Sequence, residues 1–151
     1  MEYKIIEHLD DSFEIFYPDG FEFLRITRTH NWYGKLKIKV FMENTLIFEC
    51  HTTPFSRYAI IYQDLKDELV LTKHRFYYTL SPDLIRTQSG PFLKLKEGDS
   101  LFKNDELIGR IYFGNTFISL FPIKWKAVFD KDRIENLYGL ILWAIKRPLS
   151  P

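Results

Sequence analysis

Apolar and polar residues alternate along most of this chain. In Lys35-Leu36-Lys37-Ile38-Lys39-Val40-Phe41 the alternation is strict, with lysines at one parity and Leu36, Ile38 and Val40 at the other. A period of two sends successive side chains to opposite faces of a strand, so the segment reads as a half-buried strand with a wet, positive side. Tyr3 to His8 and Ser12 to Tyr17 are strand-like in the same way, separated by the turn residues Asp10-Asp11. Pro18-Asp19-Gly20 then lies between two aromatic and β-branched runs, a strong hairpin signal. Glu43-Asn44 turns the chain into Thr45 to Thr52, where Leu46, Phe48 and Cys50 are expected to share the core face.

Further strands are expected over Arg57 to Gln63, Leu69 to Lys73 and Arg75 to Leu80. Ser81 to Pro91 is the most loop-like stretch, with Leu84 and Ile85 giving a short turn of helix. Phe92 to Leu95 opens a last section. It continues through Ser100 to Lys103, Leu107 to Phe113, Thr116 to Phe121 and Ile123 to Phe129, with turns at Asn104 to Glu106 and at Gly114-Asn115.

The period changes near the end of the chain. From Asp132 to Arg147 a helical spacing puts Ile134, Leu137, Tyr138, Ile141, Leu142 and Ile145 on one side and Leu140, Trp143 and Ala144 on most of the other. A helix apolar all round belongs inside something. Asp132 and Glu135 approximate a capping box, and Lys146 and Arg147 stand where the helix dipole favours cations, just before Pro148. The fold expected is mainly β: an antiparallel closed β-barrel of roughly ten to twelve strands around this hydrophobic C-terminal helix at 132–147.

Composition changes this picture little. The chain has 151 residues, 46% of them hydrophobic, with 14 Phe, 9 Tyr and 3 Trp, which suits a single domain spanning 1–151 with a substantial core. Charge matters more. With 21 basic and 20 acidic side chains, the net charge of +1 supplies no global field toward nucleic acid, so no nucleic-acid partner is expected. One cysteine, Cys50, excludes an internal disulfide, and with no signal-like N-terminus it suggests a cytoplasmic setting. The uncharged run Asn136 to Ile145 is about half the ~20 residues needed to cross a bilayer, so no membrane span is expected.

Two groups of residues carry candidate binding chemistry. Lys35, Lys37 and Lys39 lie on one strand face about 7 Å apart, close enough to share a polyanionic group, with Arg25 or Arg28 nearby; they equally suit a solvated outer face. Trp32 and Tyr33, beside His30 in the loop Thr29 to Gly34, form an aromatic pair of the kind that anchors interfaces. The four histidines have no ligand spacing, glycines never cluster into a phosphate loop, and acids fall at turns, so no metal, cofactor or catalytic set is expected.

A strand-turn-strand unit ending in Leu107-Ile-Gly-Arg-Ile-Tyr112, many short strands, and a hydrophobic helix after the last strand resemble the tubby C-terminal-like superfamily. That group includes the LURP-one-related, scramblase-like and small bacterial members. The resemblance implies a twelve-stranded antiparallel barrel around the C-terminal helix. It also implies, in kind, phosphoinositide binding by basic residues such as Lys35, Lys37 and Lys39 with Arg25 or Arg28. The cysteine-rich acylation segment and longer helix of scramblase-like members are missing. The functional expectation is a non-enzymatic protein-binding module, for instance a bacterial immunity or inhibitor protein that blocks its partner. An anionic-lipid headgroup binder is the alternative, and an unrecognised enzyme the third reading.

Overall fold

The structure, a computed structural model, describes residues 1–30, 35–52, 58–63, 69–73, 78–81, 85–89, 98–113 and 122–147, with the backbone alone at 52, 58–63, 69–73, 78–81 and 88–89. The protein is mainly β, an antiparallel sheet with one C-terminal helix. The strands are β1 (Glu2–Glu7), β2 (Phe13–Phe16), β3 (Glu22–His30), β4 (Leu36–Met42), β5 (Thr45–Thr52) and β6 (Tyr58–Gln63). They continue as β7 (Leu69–Lys73), β8 (Tyr78–Ser81), β9 (Ile85–Ser89), β10 (Gly98–Lys103), β11 (Glu106–Phe113) and β12 (Ile123–Phe129), followed by α1 (Ile134–Lys146). Each strand pairs with its neighbours in the chain, and β1 also pairs with β12. The expected strands over Phe92 to Leu95 and Thr116 to Phe121 lie outside the described residues.

Alternation decides which side chains face inward. Tyr3 and Ile5 on β1, Phe13 and Ile15 on β2, Leu24 and Ile26 on β3, and Ile38 and Val40 on β4 are all buried. The helix lies against this lining on several sides. Trp143 meets Phe13 and Trp125 at ring separations of 5.2 Å each, Tyr138 meets Phe48 edge-on at 6.1 Å, and Gly139 comes close to Leu101. These contacts reach β2, β12, β5 and β10, so the burial of α1 follows from its apolar circumference.

Four expectations need correction. Leu46 does not share the face of Phe48 and Cys50: a register shift pairs Val40 with Phe48 but Phe41 with Leu46, leaving Ile47 as the extra residue and Leu46 38% exposed. Ile85 begins strand β9 rather than a turn of helix, because Ile85 and Thr87 both point into the core while β9 bonds to β8 and β10. The helix starts at Ile134, with Arg133 at its N-cap, and Asp132 makes no cap bond because the backbone is still extended at Arg133 (φ −149°). Asn136 anchors this end instead, its Nδ2 donating to the Lys131 carbonyl at 2.7 Å, while Glu135 pairs with Lys103 on β10. Finally, Ile134 is exposed, so the first turn departs from the all-round apolar pattern.

Gly109, within the Leu107 to Tyr112 string, marks a close approach. A Cβ there would lie 2.8 Å from Phe129 Cε1 and 2.9 Å from the Val128 carbonyl oxygen. The inward Phe129 ring lies over this backbone and has little room to retreat. Gly109→Ala is expected to lower stability by about 1–3 kcal/mol through overpacking, read as a fall in the urea midpoint. An unchanged midpoint would show that the ring relaxes freely.

Candidate functional site

Outward residues of β2 to β5 form a continuous charged face. Register places Glu14 beside Arg25, Arg25 beside Phe41, Thr27 beside Lys39, and Lys39 beside Glu49. The Arg25 guanidinium sits over the Phe41 ring at 5.0 Å. Lys37 pairs with Glu49 at 3.2 Å, and Glu49 also faces His51 at 3.2 Å. The hydrogen bond from Lys37 chiefly holds the Glu49 carboxyl below the ordinary carboxylate range. Lys35 is exposed just before β4, and His30 is exposed at the end of β3. Trp32 and Tyr33 lie outside the described residues.

Arg28 does not belong to this face. Strand parity groups it with Leu24 and Ile26, and it is only 3% exposed. Its Nε donates to the Asp11 carbonyl at 2.8 Å, and its Nη1 donates to the carbonyls of Ala144, at 3.2 Å, and Arg147. Nη2 stands 3.9 Å from both Glu7 Oε2 and Asp11 Oδ1. Burial draws the Arg28 pKa down, and the Asp11 and Glu7 carboxylates oppose that shift. Glu7 in turn accepts from Trp125 Nε1 at 3.1 Å and Arg147 Nε at 3.3 Å. The cluster fastens the C-terminal end of α1 to β1 and β3.

A groove of about 1000 Å³ opens on the outer face between the β1–β2 turn and β4. His8, Glu14, Glu22, Arg25, Lys39 and Phe41 are among its lining residues. His8 Nε2 approaches Glu14 Oε1 at 2.6 Å, and Ser12 holds the Asp10 carboxyl below its ordinary range by hydrogen bonds from its hydroxyl and its backbone. Sequence reasoning identified Arg25 and Lys39 but missed His8, Glu14 and Glu22. The outward parity of Glu14 was readable, whereas Glu22 shares the parity of the inward Leu24 and Ile26 and comes outward only through the β2–β3 register shift, and the convergence of all three depends on register between strands. Among the described residues, no group of three or more His, Cys, Asp or Glu side chains is placed to hold a metal. No helix there is long and apolar enough to cross a membrane.

Arg25 and Lys39 of the predicted basic set therefore meet in the groove, Lys35 and Lys37 flank it, and Arg28 is inside. Family models, curated proteins and solved structures all gave no match to this chain.

Proposed function

We propose that the chain is a non-enzymatic protein-binding module, of the kind that restrains a partner by covering its surface as an immunity or inhibitor protein does. The observation that carries this reading is the mixed charge of the groove. Arg25 and Lys39 are interleaved with Glu14, Glu22 and Asp10, and Leu9 and Phe41 add apolar area. A protein surface can match both signs at this spacing. A polyanionic headgroup would meet Glu49 beside Lys37 and Glu14 beside Arg25, so the carboxylates weigh against the lipid alternative. The helix-filled interior supports the same reading, since Leu140, Leu142 and Ala144 leave binding to the outside.

The strand order and the enclosed C-terminal helix support a tubby-like layout as the framework, and the buried Cys50 thiol suits a reducing, cytoplasmic setting. Trp32 and Tyr33 remain part of the proposed contact through the connection between β3 and β4.

Affinity purification of the tagged protein from its native cells, followed by mass spectrometry and titration of the recovered polypeptide, tests the reading. One stoichiometric partner is expected. Arg25→Glu with Lys39→Glu is expected to weaken it about tenfold or more, with an unchanged melting temperature. Binding to anionic liposomes that falls as Lys35, Lys37 and Lys39 are removed, with no polypeptide partner, would replace this reading by the lipid one.

A further inference from the structure

The two ends of the sheet expose different chemistry. At one end lie the Glu2–Val128 pair, the turns joining β2 to β3, β4 to β5 and β10 to β11, and the entry of α1. Among the described residues, six of the seven exposed large apolar side chains are found there: Met1, Phe21, Leu46, Leu107, Val128 and Ile134. Leu9 alone lies at the other. Phe21 is 72% exposed and Ile134 56%.

Phe21 is held in this position by its turn. Tyr17 N donates to the Phe21 carbonyl at 2.8 Å, Gly20 N donates to the Tyr17 carbonyl at 3.0 Å, and Phe21 N donates to Asp19 Oδ1 at 3.0 Å. Gly20 takes φ +93°, which an L side chain rarely adopts. A bonded turn that presents an aromatic ring to water costs apolar exposure without a return inside the fold.

The surround is acidic. Asp19, Glu43 and Asp132 come from three separate connections and converge on Tyr17: burial raises the pKa of its hydroxyl most, and these three carboxylates raise it further. Three basic side chains of the same end are engaged, Lys126 with Glu2 at 3.2 Å, Arg86 with Asp105 at 3.6 Å and Arg133 with Asp130 at 2.7 Å, while Lys131 is exposed beside Asp132 and offsets part of the acidic charge. Among the described residues no ion pair includes Asp19, Glu43 or Asp132.

We propose that this end is a docking face for a basic protein surface, with Phe21 and Ile134 as apolar anchors and Asp19, Glu43 and Asp132 meeting the partner's Lys and Arg side chains. The inference rests on the protein-binding reading and adds to its groove a second face with a partner chemistry of its own. Apolar anchors inside a charged rim are the usual anatomy of a specific interface. An anionic membrane would be repelled by these acids, and a second copy would bring the same sign against itself.

The test is a titration of the isotopically labelled protein with a synthetic peptide alternating Arg and Leu, against its Glu-Leu counterpart, followed by amide NMR. Shifts are expected at Phe21, Glu43, Asp132 and Ile134 with the Arg peptide alone, weakening several-fold between roughly 50 and 200 mM salt. Asp19→Asn with Glu43→Gln and Asp132→Asn is expected to weaken that peptide about tenfold, and Phe21→Ser several-fold. Shifts absent from this end, equal shifts with the Glu peptide, or self-association in place of binding would overturn the proposal. If a partner recovered from cells ignores the triple variant but loses affinity with the groove variant, this face falls and the protein-binding reading stands.

Discussion

Leu140→Asp is expected to unfold most of the protein. Leu140 is fully buried in the middle of α1, flanked by the buried Gly139 and Ile141. A carboxylate there loses its water and gains no cation. The nearest basic residue in the helix, Lys146, lies almost two turns away near Asp99. Losing the leucine's packing and burying an unpartnered charge together cost about 4 kcal/mol or more, a large share of a domain's usual 5–15. The measurement is the urea midpoint, with near-UV circular dichroism as a check on packing. Ile134→Asp is the control, because Ile134 is exposed and an acid in the first turn faces the favourable end of the helix dipole. If both variants melted alike, helix propensity rather than burial would explain the loss. If Leu140→Asp kept its native midpoint, α1 would not be the core.

The helix was legible because its apolar circumference and length leave no surface on which it can rest. Its start was not, since Asp132 and Glu135 have a capping spacing that only the backbone at Arg133 annuls. β4 was legible for the opposite reason, strict alternation over seven residues. β9 was hidden because Ser, Pro and Gly flank it and, among its described side chains, Ile85 and Thr87 alone carry the inward pattern. Leu46 was misplaced because a bulge changes parity without changing composition.

The groove was half legible. Arg25 and Lys39 announce themselves as outward cations, but Glu14 and Glu22 reach them only through the β2–β3 and β3–β4 registers. Arg28 shows the limit of a composition prior. A basic residue is placed on the surface by default, yet its parity with Leu24 and Ile26 pointed inward, as did that of Glu7 with Tyr3 and Ile5. Two opposite charges at inward parity on nearby strands are a signal for a buried cluster, and here the parity carried more than the charge.

That cluster sets the second large expectation, a loss of about 3–5 kcal/mol for Arg28→Met. Methionine roughly fills the stem's volume but removes every donor. The Ala144 and Arg147 carbonyls lose their caps at the end of α1, the Asp11 carbonyl loses the bond from Nε, and the buried Glu7 and Asp11 carboxylates lose the nearby cation. Arg147 and Trp125 still donate to Glu7, so the penalty should fall short of a wholly unpaired buried charge. Adding Glu7→Gln to Arg28→Met should recover part of the loss, because a neutral amide in place of the carboxylate needs less compensation. The double-mutant cycle by urea denaturation separates the two contributions: additive losses would mean that Arg28 acts only through the helix carbonyls, while a recovered midpoint would assign it to the charge balance as well. The 3.9 Å separations from Nη2 to both carboxylates favour the second outcome, since they are too long for direct hydrogen bonds but short for charges in a dry interior.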